Sequence, residues 1–181
     1  ALNVGFNEVN LEYQKILKIN VKIFLSNCSF YNNTSGKQGG AVFMSNADLL
    51  FIGHCKFVSN EAGLLGGGIA MHKISHSFSK DSYFLANIAY GYGGGIYMEN
   101  VESISIISSI FMRNQAGSSG GGISANIIEQ LYFNQLYMCD NYADSKGAGI
   151  EGWKLSYAHI KDSTIANNTA SDWGGGLYTS Y

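Results

Sequence analysis

Hydrophobic and polar positions recur along this chain with a 27-residue period. The most regular column is an asparagine found six times at that spacing, at Asn33, Asn60, Asn87, Asn114, Asn141 and Asn168. An apolar residue precedes each asparagine by three positions, at Phe30, Phe57, Phe84, Phe111, Met138 and Ile165. A glycine run opens six positions after each asparagine, at Gly39, Gly66, Gly93, Gly120, Gly147 and Gly174. Six copies without an insertion or deletion indicate a repeat protein.

The 27-residue unit is built of short apolar alternations, which are typical of strands rather than helices. Its glycine run would also destabilise a helix, by roughly 1 kcal/mol per glycine. The sequence therefore predicts an all-β fold, a right-handed parallel β-helix (solenoid) with 27 residues per coil and about six coils. Equivalent residues then lie about 4.8 Å apart, so the phenylalanines stack in the core and the asparagines form an amide ladder at a corner.

Two segments of the chain are predicted. Residues 18–181 carry the repeats, whereas residues 1–17 depart from the pattern and are interpreted as an irregular first coil or a partial cap. The last residue, Tyr181, falls partway round a coil. Because an open coil end offers unpaired strand edges, we expect self-association through the coil ends or a longer parent protein.

The composition excludes some classes of partner. The 181 residues carry a formal net charge of −2, and only 13% are charged. Nucleic acids and anionic membranes require a basic surface, so we expect no nucleic-acid partner. No apolar stretch approaches the roughly 18 residues of a membrane-spanning helix, so we also expect no membrane insertion.

The repeat motifs point to a known family. Phe30-x-x-Asn33 and its counterparts, with the Gly39-Gly40-Ala41-Val42 type of run, resemble the repeats of the chlamydial polymorphic outer membrane proteins, which also occur in other surface proteins. The resemblance covers about residues 18–181. It implies an extracellular or cell-surface β-helix with a structural or adhesive role, which contacts a host or matrix carbohydrate or protein and needs no cofactor.

Four asparagines lie in Asn-x-Ser/Thr sequons, at Asn27, Asn32, Asn33 and Asn167. Asn27, Asn32 and Asn167 belong to outward-facing columns and are candidate acceptors of N-linked glycans in a secreted protein. Asn33 belongs to the internal ladder, so we expect it to be inaccessible.

The cysteines do not form a disulfide framework. Cys28 and Cys55 share a column one coil apart, where stacked thiols and a strained disulfide are both compatible with the spacing. Cys139 has no partner column and is interpreted as a core residue. No spacing typical of a metal site is found.

One column suggests an alternative function as a carbohydrate-active enzyme, a polysaccharide lyase or hydrolase. Glu102 lies one coil from Glu129, and Asp48 shares their column. Two carboxylates about 5 Å apart have the spacing of a retaining glycosidase pair. The four histidines fall in other columns, however, so we expect no catalytic activity. Outward aromatic residues could contact sugars or a neighbouring filament: Tyr90, Tyr92, Tyr97, Trp173 and Tyr178.

Overall fold

A computed structural model of the chain describes the backbone of residues 2–4 and all of residues 21–181. These residues form three parallel sheets and contain no helix. The first sheet holds five strands of 12 residues, Val42–Gly53 (β5), Ile69–Lys80 (β8), Ile96–Ile107 (β11), Ile123–Asn134 (β14) and Ile150–Lys161 (β17). Shorter strands of the same sheet are Leu2–Val4 (β1), Lys22–Ser26 (β2) and Leu177–Ser180 (β20). We call it the long sheet.

The other two sheets have six short strands each. One contains Ser29–Tyr31 (β3), Lys56–Val58 (β6), Tyr83–Leu85 (β9), Ile110–Met112 (β12), Tyr137–Cys139 (β15) and Thr164–Ala166 (β18). The other contains Thr34–Ser35 (β4), Glu61–Ala62 (β7), Ile88–Ala89 (β10), Gln115–Ala116 (β13), Tyr142–Ala143 (β16) and Thr169–Ala170 (β19). Each of the regular coils between β3 and β19 contributes one strand to every sheet.

Neighbouring strands pair in the register that the sequence repeat predicts. Phe57 pairs with Phe84 in one short sheet, and Ile96 pairs with Ile123 in the long sheet. The strands are parallel throughout, so the chain winds in the same direction on every coil. The predicted parallel β-helix of about six coils is therefore confirmed.

The first coil has a different register. Leu2 pairs with Val42, an offset of 42 − 2 = 40, whereas Lys22 pairs with Leu49 at the regular offset, 49 − 22 = 27. The chain between β1 and β2 is thus longer than its equivalent on the other coils. Apart from Leu2–Val4, the irregular coil or cap predicted for residues 1–17 lies outside the described residues.

Stacked apolar columns fill the interior. The rings of Phe30, Phe57, Phe84 and Phe111 lie nearly parallel, with successive centroids 4.9, 4.8 and 4.6 Å apart. The last three are fully buried. Burial of this apolar surface on every coil is the main stabilising contribution to the fold.

The asparagine column forms a continuous hydrogen-bond ladder at one corner. The Nδ2 atom of each asparagine donates to the Oδ1 atom of the asparagine on the next coil, over 2.8–3.0 Å, from Asn33 to Asn168. Interior members also donate from Nδ2 to the main-chain carbonyl of a core residue on the preceding coil. Buried polar groups at the corner are thereby paired, as a low-dielectric interior requires.

Each regular coil turns at residues in the left-handed region of φ. The first glycine of every run has a positive φ, between 57 and 72°. Three further columns share this conformation without being glycine. They begin at Asn27, Asn32 and Asn46 and recur once on each following coil. Asparagine tolerates this region better than other side chains, but the columns also include Ala86 and Ile127, so the stacked neighbours impose the conformation there.

Candidate functional site

An open groove runs along the outside of the β-helix, beside the beginning of the long-sheet strands. We call it the lateral groove and define it by Tyr92, Tyr97, Asn126, Lys146, Glu151 and Trp153. Its volume of about 480 Å³ lies within the range typical of ligand pockets, roughly 300–1,000 Å³. One wall comes from the turns before the glycine runs, and the floor comes from outward side chains of β11, β14 and β17.

The glycine corner brings the two walls together. Gly147 has a φ of 57° and follows Lys146 directly. A Cβ atom at this position would collide with the carbonyl oxygen of Ile150. Only glycine therefore permits the tight turn, which allows Lys146, before the corner, and Glu151, after it, to line the same groove.

Glu151 is the most unusual group in the groove, because its side chain is charged in water but only 7% of the residue is exposed. Ser124 Oγ donates a hydrogen bond to Glu151 Oε2 over 2.8 Å. Burial raises the pKa of Glu151 above its ordinary value, while the Ser124 hydrogen bond and the charge of Lys146 oppose the increase. No side chain within residues 21–181 donates to Oε1, the second oxygen of the carboxyl group.

Lys146 is held by aromatic rings at the edge of the groove. Its Nζ atom lies 4.5 Å from the ring centroid of Trp173 and 5.0 Å from that of Tyr178. These two rings are themselves stacked, 6.2 Å apart. Cation–π attraction of this kind holds the ammonium group over the ring faces.

Tyr97 corrects one expectation from the sequence. Its side chain leaves the outer face of the sheet, as predicted, but only 8% of the residue is exposed. Burial raises the pKa of the Tyr97 hydroxyl, the side chain of Asn126 opposes this increase, and the carboxyl group of Glu99 adds to it. The phenol therefore remains protonated at neutral pH. Tyr90 and Trp173 are exposed.

The candidate glycan acceptors lie on the surface. Asn27, Asn32 and Asn167 are exposed, each at a corner with a φ of 53°. Asn33 is half-buried and donates through Nδ2 to Asn60 Oδ1. The structure thus separates three accessible sequons from one that is engaged in the ladder.

The carboxylate column proposed for catalysis carries no converging partners. Glu102 and Glu129 are exposed at equivalent positions of β11 and β14, beside the paired residues Val101 and Ile128. Asp48 lies two coils away and is half-buried. Within residues 21–181 no salt bridge joins these carboxylates to a basic side chain.

A closer polar pair was not predicted from the sequence. His72 Nδ1 lies 3.0 Å from Glu99 Oε2, and both side chains are one-third exposed. The two residues are 27 apart in an outward column, so the repeat spacing itself was the available indication. The same spacing relates Ser124 to Glu151 and Lys146 to Trp173. Pairs of outward polar or aromatic residues 27 positions apart were therefore the signal in the sequence that could have indicated the lateral groove.

The cysteines are all free thiols in the structure. Cys55 is buried, and burial raises the pKa of its thiol. Cys139 is also buried. Among the residues that the structure describes, no three side chains of His, Cys, Asp or Glu form a group that could hold a metal ion. The same part of the chain contains no helix long and apolar enough to cross a membrane.

Comparison with known proteins identifies the repeat. Residues 27–45 and 162–180 match the model of the Chlamydia polymorphic membrane protein repeat. The two matches begin five coils apart, since 162 − 27 = 5 × 27, so they have the same phase in the β-helix. No curated protein and no solved structure matches the chain significantly. The resemblance is therefore confirmed at these two segments: this chain is a parallel β-helix in which residues 27–45 and 162–180 match the Chlamydia polymorphic membrane protein repeat.

Proposed function

We propose that this chain is a non-enzymatic structural or adhesive protein, located at the cell surface or outside the cell. The observation that carries the proposal is the unbroken stack of in-register coils, with an asparagine ladder and a phenylalanine column along its length. A stack of this kind holds outward side chains at fixed positions along its axis, as a structural or adhesive surface requires. The matched repeat, which comes from membrane proteins of Chlamydia, supports the same location.

Labelling of intact cells tests the location. Antibodies raised against the folded chain are applied to cells of the source organism before and after permeabilisation. We expect labelling of intact cells or of the surrounding material. Labelling that requires permeabilisation would show that the proposed location is wrong.

Attachment of coated beads tests the adhesive role. Beads that carry the chain are added to cultured epithelial cells and to deposited extracellular matrix, and beads coated with an unrelated β-helix protein serve as the control. We expect more attachment by the chain, since a host or matrix carbohydrate or protein is the proposed ligand. Equal attachment by both types of bead would leave only the structural role.

The alternative function, a polysaccharide lyase or hydrolase, rests on Glu102 and Glu129. Both carboxylates are exposed and have no basic partner within the described residues, which favours the non-enzymatic role. Product analysis by chromatography, after incubation with acidic and neutral polysaccharides, tests this directly. Cleavage by the wild-type chain that is lost in Glu102→Gln would overturn the proposal.

Glycosylation is proposed at Asn27, Asn32 and Asn167, because all three are exposed at corners. Secretion of the chain from cultured eukaryotic cells, followed by enzymatic removal of N-glycans, gives a mass shift for each occupied site. The single substitutions Asn27→Gln, Asn32→Gln and Asn167→Gln should each remove one increment. Asn33→Gln is the matched control and should remove none.

Self-association through the coil ends is proposed from the last strand. β20 pairs with β17 alone within the described residues, and Leu177 is 45% exposed although its column is otherwise buried. Edge strands with apolar residues favour pairing with another chain. Sedimentation velocity should show larger species as the concentration rises, and Leu177→Lys should suppress them. A concentration-independent monomer would exclude end-to-end association of this chain.

A further inference from the structure

We propose that the lateral groove binds an uncharged oligosaccharide that lies parallel to the axis of the β-helix. The biological role of this binding rests on the proposed adhesive function, because the groove would supply the surface that contacts the ligand. The inference extends that function by naming the site and the chemical class of ligand. The groove is separate from the column of Glu102 and Glu129.

The shape of the groove fits an extended chain. Its lining includes Tyr97, Glu151 and Tyr178, which belong to one outward column and lie on different coils. Three coil spacings of about 4.8 Å give a length of roughly 14 Å. A groove with this direction accommodates several linked sugar rings one after another, whereas a single small metabolite would occupy only one coil.

Aromatic side chains are present along the groove. Tyr92 and Trp153 are 40% and 38% exposed, and both line the groove, from coils that are two apart. The apolar face of a pyranose ring packs against such a side chain, and the polar atoms at its edge remain free for hydrogen bonds. Exposed aromatic residues at two levels of the groove therefore suit a polymer of sugars.

Polar groups between the aromatic residues provide the required hydrogen bonds. The hydroxyl groups of Ser118 and Ser145 and the amide of Asn126 line the groove. Glu151 is only 7% exposed, and Ser124 donates to its Oε2 atom. Oε1 is left to accept from a ligand hydroxyl. A few well-placed polar groups within an aromatic pocket are typical of sites that orient a neutral ligand.

The charges in the groove oppose a charged ligand. Among the described residues that line the groove, Lys146 is the only basic one, and its ammonium group already lies over Trp173 and Tyr178, near the carboxyl group of Glu151. An acidic sugar would need an additional cation, and a cationic ligand would meet Lys146. An uncharged sugar needs no additional cation and is not repelled by Lys146.

Tryptophan fluorescence provides a direct test, because both tryptophans of the chain lie at the groove. Trp153 lines it, and Trp173 contacts Lys146. The full chain is titrated with cellohexaose, maltohexaose, mannohexaose and chitohexaose, and with hexagalacturonate as the acidic comparison. We expect a saturable change in emission with at least one neutral hexasaccharide, and weaker binding of hexagalacturonate.

Substitutions of Tyr92 locate the binding. Tyr92→Ala should weaken it at least about tenfold, the loss expected when an interfacial aromatic side chain is truncated. Tyr92→Phe keeps the ring and should bind within about threefold of the wild type. Tyr137→Ala removes an exposed tyrosine from a short sheet, away from the groove, and should have no effect. Trp153→Ala is an independent second variant, and its affinity for the hexasaccharide is measured by calorimetry.

Three results would overturn the inference: no saturable change with any neutral hexasaccharide, tighter binding of hexagalacturonate than of every neutral probe, or equal affinity in the wild type and Tyr92→Ala. Failure of the proposed function is distinguishable. Coated beads that attach to cells while the groove binds no sugar would refute only the groove. Sugar binding by a chain that is found inside the cell would refute only the surface role.

Discussion

Asn87 donates two hydrogen bonds to one atom of Asn114. The backbone N of Asn87 lies 3.1 Å from Asn114 Oδ1, and Asn87 Nδ2 lies 2.9 Å from the same oxygen. The Oδ1 atom of Asn87 accepts the equivalent pair from Asn60 on the preceding coil. Each amide therefore satisfies the backbone as well as the side chain of its neighbour, and the ladder links every coil to the next.

Removal of one amide from the ladder should lower the free energy of unfolding. We expect Asn87→Ala to lower the free energy of unfolding by about 3 kcal/mol or more, because the backbone and side-chain amides of Asn60 lose their acceptor and the carbonyl of Phe57 loses a donor, and each such loss costs roughly 1–3 kcal/mol. Urea denaturation monitored by circular dichroism measures the change. The matched control is Asn134→Ala, since the buried Oδ1 of Asn134 has no partner within the described residues. Equal losses in both variants would contradict the prediction.

The phenylalanine column should respond to loss of a single ring. Phe84 is fully buried between Phe57 and Phe111, with ring centroids 4.8 and 4.6 Å away. Phe84→Ala should therefore cost about 4 kcal/mol from lost burial and the resulting cavity. Phe84→Leu should cost less but still lose the contribution of stacking, roughly 1 kcal/mol.

An exposed phenylalanine provides the control for that experiment. Phe24 is 64% exposed and lies at the edge of the long sheet, in β2. Phe24→Ala should change the free energy of unfolding by less than about 1 kcal/mol. If Phe84→Ala is as mild as Phe24→Ala, the stacked column does not stabilise the fold in the way proposed.

Glycine positions differ sharply in what they tolerate. A Cβ atom at Gly94 would lie 2.5 Å from the carbonyl oxygen of Gln115 and 2.6 Å from its nitrogen, whereas one at Gly36 would meet nothing within 4 Å. We expect Gly94→Ala to destabilise by about 3 kcal/mol, because backbone atoms must shift. Gly36→Ala should be neutral or stabilising by up to about 1 kcal/mol. Thermal unfolding of the two variants under identical conditions distinguishes them, and similar transition temperatures would refute the prediction.

Much of the fold follows from the sequence because an in-register parallel stack converts a sequence interval into a contact. Residues 27 apart, such as Asn60 and Asn87, must lie side by side once the coil length is known. The groove could be predicted only in part. Ser124 and Glu151 meet for the same reason, but Lys146 reaches Glu151 across a corner. The angle of that corner depends on backbone torsions that the repeat spacing does not determine.

The left-handed corners were also only partly predictable. Glycine at the first position of each run indicates a positive φ, and six copies adopt it. The corner that begins at Asn46 contains Lys73, Asn100, Ile127 and Lys154, and this mixture gives no clear sequence indication. Packing of adjacent coils enforces the conformation, whatever the intrinsic preference of each residue. The unusual register of β1 could not be foreseen, because the motif does not recur there.

Ile127 should be strained by this conformation. Its φ is 55°, and a left-handed conformation costs roughly 1–2 kcal/mol for residues with a Cβ atom, least for asparagine. Ile127 is also 38% exposed, so little burial is lost on substitution. We expect Ile127→Asn to raise the free energy of unfolding by about 1 kcal/mol. The reciprocal change Asn100→Ile, in the same column, should lower it by a similar amount, and changes of the same sign in both variants would contradict the explanation.

Glu151 should make the stability of the chain depend on pH. Its pKa in the folded protein is raised above the ordinary value of 4.5, chiefly by burial. Folding therefore favours the protonated acid, and this contribution is complete below the ordinary pKa and is lost as the pH rises through the raised one. A tenfold difference in proton affinity between the folded and unfolded states corresponds to about 1.4 kcal/mol. Glu151→Gln remains neutral and can still accept from Ser124, so it should lack this dependence.

The comparison of Glu151→Gln with the wild type at pH 4 and pH 7.5 measures the effect. We expect the variant to gain stability relative to the wild type as the pH rises, because the wild type must carry a buried charge at the higher pH. Glu129→Gln is the matched control, because it makes the same substitution at an exposed glutamate outside the groove. A constant difference for Glu151→Gln, or one of opposite sign, would mean that Ser124 and Lys146 outweigh burial. In that case the groove would hold a stable carboxylate, and its Oε1 atom would be a stronger acceptor than proposed.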